Sequence, residues 1–196
     1  MKNENLTPRI MSCTKDKVNE MNIGVLASHN GTNLQAIIDA CESGTSDASV
    51  CVVISNNSKS GALERAKKHN IPFYRLNGVT HPKPDDLDNA ICDILIHADA
   101  DIVFLAGYMR KLGKKTLAQF KGRILNTHPA LLPKFGGKGM YGMNVHQAVI
   151  NSKEKESGVS IHLVDAEYDT GPVIAQCKVK VKSEDTPEKL CERVMV

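Results

Sequence analysis

Asn22–Asn33 reads NIGVLASHNGTN, an apolar run from Asn22 to Ala27 that stops at Ser28-His29-Asn30-Gly31-Thr32-Asn33. Leu34, Ile37, Ile38 and Cys41 then recur at the three- and four-residue spacing that lines one face of a helix. Strand, turn and helix follow one another with no linker. The order repeats at Ala48 to Ser55 (ASVCVVIS), a nearly continuous β-branched run bounded by Asn56-Asn57-Ser58, and at the charged helix Ala62 to His69, which ends at Asn70 ahead of Pro72. Phe73 to Leu76 is a short third strand. Beyond the breakers Pro82 and Pro84, Leu87, Ile91, Ile94, Leu95 and Ala98 form one helical stripe, and Asp101 to Ala106 (DIVFLA) is a fourth strand. Strands apolar at successive positions are covered on both faces, and parallel pairing needs intervening helices of this kind.

The second half changes character. Lys111 to Phe120 reads as a helix and Arg123 to Thr127 as a fifth strand, after which a Gly- and Pro-rich loop runs from His128 to Met143. Asn144 is placed to cap a helix reaching Ile150. Gly158 to Val164 and Val173 to Val181 alternate polar and apolar residues, with turn signals in Asp169-Thr170-Gly171-Pro172 between them, the pattern of a hairpin. Thr186-Pro187-Glu188 opens a last helix, expected to be cut short at Val196. The expected fold is α/β: a mostly parallel, doubly wound, Rossmann-like sheet with an antiparallel C-terminal strand pair. It forms a single domain over residues 21–196 behind a flexible, polar leader of residues 1–20.

A chain of 196 residues, 41% hydrophobic and with formal net charge +3, suits one such domain. No window approaches 18 consecutive apolar residues, and the leader carries Lys2, Glu4, Arg9, Lys15, Asp16, Lys17 and Glu20, unlike a secretory signal. Four Phe, four Tyr and no Trp, with charges of both signs interspersed, argue against a nucleic-acid surface. The six cysteines, Cys13, Cys41, Cys51, Cys92, Cys177 and Cys191, contain no C-x-x-C pair and are read as reduced. The expectation is a cytoplasmic protein without nucleic-acid or membrane partners. Because no H-x-x-x-H or similar ligand spacing occurs, no metal is expected.

In an open parallel sheet, ligands sit at the carboxyl ends of the strands, which directs attention to residues 28–33, 106–112 and 128–143. Gly137-Lys138-Gly139-Met140-Tyr141-Gly142 satisfies the dinucleotide pattern G-x-G-x-x-G literally, but eight residues separate it from the strand end at His128. It is read as a mobile lid, or else a plain surface loop. Asn30-Gly31-Thr32-Asn33 joins strand directly to helix, so its backbone N–H groups and polar side chains can meet a phosphate; the plainer reading is that Thr32 and Asn33 cap the helix. Asn126 and His128 lie two residues apart on a strand and share a face. An amide donor beside an imidazole is what a developing oxyanion requires in acyl transfer, and Asp169 is the candidate carboxylate partner.

These residues carry a resemblance. His128-Pro129-Ala130-Leu131-Leu132-Pro133, with Asn126 two residues before, resembles the HPSLLP-type signature of folate-dependent formyltransferases, and Asp169-Thr170-Gly171-Pro172 resembles their Asp-x-Gly-Pro signature. Ser28 to Gln35 is similar to the loop that receives the phosphate in the branch acting on glycinamide ribonucleotide (GAR). The resemblance implies the formyltransferase fold and formyl transfer from 10-formyltetrahydrofolate to the GAR amine, a step of purine synthesis, without metal. It implies a catalytic trio of Asn126, His128 and Asp169, with Asn30, Gly31, Thr32 and Asn33 on the phosphate. It also implies a folate pocket lined by Met109-Arg110-Lys111-Leu112 and Leu163-Val164-Asp165-Ala166. The plainer reading of Leu112 and Val164 is core, and of Arg110 a solvated charge. His162 also matches a family position, while a strand histidine is as readily a satisfied buried side chain. The family's last helix continues beyond Val196 and supplies a carboxylate to the ribose. A homodimer is left open.

Four other readings compete. Other enzymes using formyltetrahydrofolate, a hydrolase or the methionyl-tRNA formyltransferase, lack an N-G-T-N loop in this position. A nicotinamide-dependent oxidoreductase rests on the 137–142 glycines alone. A truncated, non-catalytic folate- and phosphate-binding module would bind without turnover.

Overall fold

The computed structural model describes residues 20–195. The leader expected over residues 1–20 lies outside them apart from Glu20. Thirteen elements alternate along the chain: β1 (Met21–Ala27), α1 (Thr32–Glu42), β2 (Ala48–Ser55), α2 (Gly61–Lys68), β3 (Phe73–Arg75), α3 (Pro84–His97), β4 (Ile102–Leu105), α4 (Lys114–Gln119), β5 (Ile124–His128), α5 (Met143–Asn151), β6 (Glu156–Leu163), β7 (Val173–Lys180) and α6 (Pro187–Val194). One seven-stranded sheet runs in the order β3-β2-β1-β4-β5-β6-β7. The first five strands pair in parallel, whereas β5–β6 and β6–β7 are antiparallel. The expected fold class and terminal hairpin are both present.

Side-chain alternation divides the core into two layers. Val25, Ala27 and Val53 pack with Leu34, Ile38, Ala62 and Ala66 of α1 and α2 on one face. Leu26, Val52, Ile54 and Val103 pack with Ile91 and Leu95 of α3 on the other, together with Phe120 beyond α4. Successive residues of β1 thus point into different layers, and both layers are dry, which is why its buried stretch Gly24–Ala27 is apolar throughout. Gly24 stands where Leu95 and Ala100 crowd the strand, leaving no room for a side chain.

Among the boundaries that differ from the sequence reading, two helix starts have an identifiable cause. α4 starts at Lys114 rather than Lys111, because Asp88 of α3 reaches across to accept hydrogen bonds from the Lys115 and Thr116 N–H groups and fixes the helix start there. Asn144 lies inside α5, with Gly142 in the capping position, and its side-chain amide donates to the Gly139 carbonyl instead. No helix among the described residues is long and apolar enough to cross a membrane.

Strand order reverses between β1 and β4, which places the ligand crevice of an open parallel sheet at their carboxyl ends. The loops there are stitched together. The Ser28 N–H donates to the Gly107 carbonyl, and the Ser28 hydroxyl accepts from the Met109 N–H at 2.8 Å.

Candidate active site

β5 delivers Asn126 and His128 to one face, while Thr127 between them accepts a hydrogen bond from the Asn33 amide at 3.0 Å. Asn33 is therefore tied to the candidate catalytic strand through one Nδ2 hydrogen, which leaves the other free to donate. His128 is buried; its Nε2–H donates to the Phe135 carbonyl at 2.7 Å, so its other nitrogen, Nδ1, is the one that faces Asp169 Oδ2 at 3.5 Å. Asp169 holds φ +57°, the left-handed region that lets the turn after β6 double back towards β5, and its Oδ2 also accepts from the Gly137 N–H at 2.9 Å. Two residues on, a side chain at Gly171 would collide with the Leu163 carbonyl, so the tight turn requires glycine. The trio expected from sequence converges.

A fourth side chain joins it. Antiparallel pairing sets His162 of β6 directly opposite Asn126. His162 Nδ1 lies 2.9 Å from the Leu163 carbonyl, which can only accept, so that nitrogen carries the hydrogen. Its Nε2 is 3.0 Å from Asn126 Nδ2 and 3.5 Å from Asp169 Oδ1. Asp169 thus sits between two imidazoles, each with one nitrogen committed to a backbone carbonyl. The sequence signal for this existed, since His162 occupies an inward position of an alternating strand, but the register that opposes it to Asn126 does not show in either strand alone.

Environment sets the protons apart. Burial is the largest influence on His128 and lowers its pKa, outweighing Asp169 and the Phe135 carbonyl, which favour the charged form. Burial is also the largest influence on His162 and disfavours charge, but the Asp169 hydrogen bond, the Leu163 carbonyl and the charges of Asp169 and Asp165 together raise its pKa. For Asp169, burial again acts most strongly and upward; the His162 hydrogen bond, the Gly137 N–H and the two histidine charges outweigh it and lower the pKa. A carboxylate held ionised beside one readily charged and one reluctant imidazole can accept and pass on a proton.

On the 28–33 loop, Gly31 holds φ +70°, and a Cβ there would stand 2.8 Å from the Ala62 backbone. No side chain caps α1, so the capping role for Thr32 and Asn33 is not realised and the first N–H groups of the helix are left without intrahelical partners. The carbonyls that would repel an anion are turned away: His29 O accepts from the Ser60 hydroxyl at 2.8 Å, and Asn30 O from Arg65 Nε at 2.9 Å. With these carbonyls engaged and the α1 N–H groups uncapped, the loop can meet negative charge.

The eight residues expected around folate divide in two. Met109, Arg110, Lys111, Asp165 and Ala166 are exposed on neighbouring loops, and the Lys111 ammonium lies 5.3 Å from the Tyr168 ring centroid and 3.9 Å from Glu167. Leu112 packs into the core and Val164 against it, as their plainer reading held, while Leu163 is half-buried and bonds through its N–H to the Pro172 carbonyl. Gly137, Gly139 and Gly142, all at positive φ, lie in the long loop between β5 and α5, not in a direct strand-to-helix turn, so no dinucleotide fingerprint is formed. Among the described residues no group of three or more His, Cys, Asp or Glu side chains is placed to hold a metal. Two cavities, of about 260 and 580 Å³, lie away from the cluster, beside His69 and between β3 and α3.

A doubly wound α/β sheet with this cluster at the end of β5 defines the class, and the chain belongs to the formyl transferase family, whose profile matches residues 21–196. Among individual relatives, it is 42% identical over 171 residues to the phosphoribosylglycinamide formyltransferase of Haemophilus influenzae, covering 86% of this chain and 77% of that protein. It is 39% identical over 174 residues to the chloroplastic phosphoribosylglycinamide formyltransferase of Arabidopsis thaliana, covering 88% of this chain but only 60% of the plant protein. The crystal structure of glycinamide ribonucleotide transformylase 1 from Symbiobacterium toebii superimposes with a TM-score of 0.84 at 38% identity, covering 90% of this chain and 82% of that one.

Proposed function

We propose that this chain transfers a formyl group from 10-formyltetrahydrofolate to the primary amine of GAR, a step of purine biosynthesis. The observation that carries the reading is the convergence of Asn126, His128 and Asp169 at the end of β5, two of them from one strand and the third from a turn far along the chain. The amine nitrogen attacks the formyl carbon, the carbonyl oxygen gathers negative charge, and the bond from that carbon to N10 of the folate then breaks. The Asn126 amide donates to that oxygen. The His128 Nε2–H, now bonded to the Phe135 carbonyl, is the second donor once the formyl oxygen takes the place of that carbonyl. Asp169, ionised, receives the proton that the amine loses and returns it through water to N10.

The 30–33 loop takes the GAR phosphate through Gly31, Thr32 and the backbone at Asn30 and Asn33. The exposed faces of the 109–112 and 163–166 segments take the pterin. The substrates are small molecules, and the chemistry of the trio needs no metal ion.

Incubation of the chain with both substrates, following tetrahydrofolate release and formyl-GAR by mass, tests this. Stoichiometric formation of both is expected, with a large loss when GAR is replaced by its phosphate-free nucleoside. Release of formate at the same rate with and without GAR would overturn the transfer reading in favour of hydrolysis.

A further inference from the structure

Asn126 can stabilise an oxyanion only if its NH2 end, rather than its carbonyl end, is turned towards it, and nothing in an isolated asparagine fixes that choice. In this site one neighbour fixes it. The Leu163 carbonyl holds the hydrogen of His162 on Nδ1, so neutral His162 presents a bare lone pair at Nε2, 3.0 Å from Asn126 Nδ2. One Nδ2 hydrogen is therefore committed to His162 and the amide is locked, with its second Nδ2 hydrogen free to point elsewhere. The same Nε2 lies 3.5 Å from Asp169 Oδ1. Once protonated, it no longer accepts from Asn126 and becomes a charged donor for which the carboxylate is the stronger partner.

We propose that His162 is a positioning residue that orients the Asn126 amide through Nε2, and that protonation of this nitrogen moves its bond from Asn126 to Asp169 and releases the amide. The proposal rests on the reading of Asn126 as an oxyanion donor. The ionisable groups acting on His162 are Asp169 from the turn, Asp165 from the end of β6 and His128 from β5, while its partner across the β7 pairing is the apolar Val173. The two carboxylates favour the proton and burial opposes it, so the switch lies in the range of histidine titration. Because His162 is 2% exposed, solvent cannot substitute for the lost contact.

The test follows the Asn126 side-chain amide by nitrogen-15 NMR across the histidine titration range, in the parent chain and in His162→Gln, which can still accept at Oε1 but does not titrate. In the parent, one Asn126 amide proton is expected to be protected from exchange at high pH and to lose that protection as pH falls. In His162→Gln the protection should be independent of pH, and the acid limb of kcat should shift or disappear while both KM values stay within about twofold. His162→Phe, which removes the acceptor, should lower kcat about tenfold, the worth of one hydrogen bond, with thermal unfolding reporting its fold separately. An Asn126 amide that ignores pH in the parent, or that responds equally in His162→Gln, overturns the proposal. If Asn126→Ala leaves turnover intact while the parent shows the NMR response, the oxyanion reading fails and the His162 coupling stands.

Discussion

β1, at the centre of the sheet, buries Val25, Leu26 and Ala27 completely, whereas β7, at its edge, leaves Val173 and Ile174 42% and 58% exposed. The two strands do different work. In the central parallel strands β1, β2 and β4 most positions meet a neighbour on one face or the other, and sequence is dictated largely by packing. In the antiparallel half the register matters more than burial, because the pairing of β5 with β6 brings Asn126 and His162 face to face, and the β6–β7 turn returns Asp169 beneath them. Stability is concentrated in the first region and the candidate chemistry at its border with the second.

The sharpest way to separate the two regions is a change that removes chemistry without removing packing. Asp169→Asn keeps an acceptor for the Gly137 N–H but loses the ionised carboxylate between the two imidazoles. Formyl transfer should fall by about 10²- to 10³-fold, with an unchanged cooperative unfolding transition; retained turnover would break the comparison. The converse is Leu26→Ala in the buried centre, expected to cost about 2–5 kcal/mol in chemical denaturation while substrate KM values in the still-folded fraction stay the same.

A smaller effect is expected in the pH dependence of stability, where His162 and Asp169 carry opposed contributions. His162 has a folded pKa above its ordinary 6.5, so its proton stabilises the fold fully below 6.5 and that contribution is lost as pH rises through the folded value. Asp169 has a folded pKa below its ordinary 3.8, so its contribution is present above 3.8 and is lost as pH falls through the folded value. Denaturation of His162→Gln beside the parent should therefore show a deficit that is largest below pH 6.5 and shrinks as the medium becomes alkaline. A deficit that grows with pH would reverse the assignment. Least of all should Ile174→Thr matter. On the exposed edge strand it should change stability by no more than about 0.5 kcal/mol, measured by the same denaturation.

How much of this was legible in the sequence divides along the same border. Predominantly apolar runs at 22–27, 48–55 and 101–106 announce doubly covered strands because two dry layers leave few polar positions, and the structure places them side by side. Asn126 and His128 were readable as a same-face pair because strand geometry is local. Asp169 was readable as a carboxylate in a turn but not as their neighbour. His162 stayed ambiguous, since its role depends on a pairing that no local pattern encodes, and so did the Phe135 carbonyl, a backbone acceptor with no signature of its own. Asn33 was assigned to phosphate by its residue type, and its bond to Thr127 across the loop and β5 was not readable from that type. The start of α4 escaped because a side chain from another helix, Asp88, determines it. Apart from Phe135, seven residues beyond His128, the missing information in each case is a contact between segments distant in the chain.

The proposed chemistry requires the Asn126 amide to meet the oxygen of the reacting carbonyl. Steady-state formyl transfer by Asn126→Ala, with kcat and both KM values measured beside the parent, tests that contact most directly. A kcat reduced by about 10²- to 10³-fold with little change in either KM is the predicted result. An undiminished kcat, or a loss confined to KM, would contradict it.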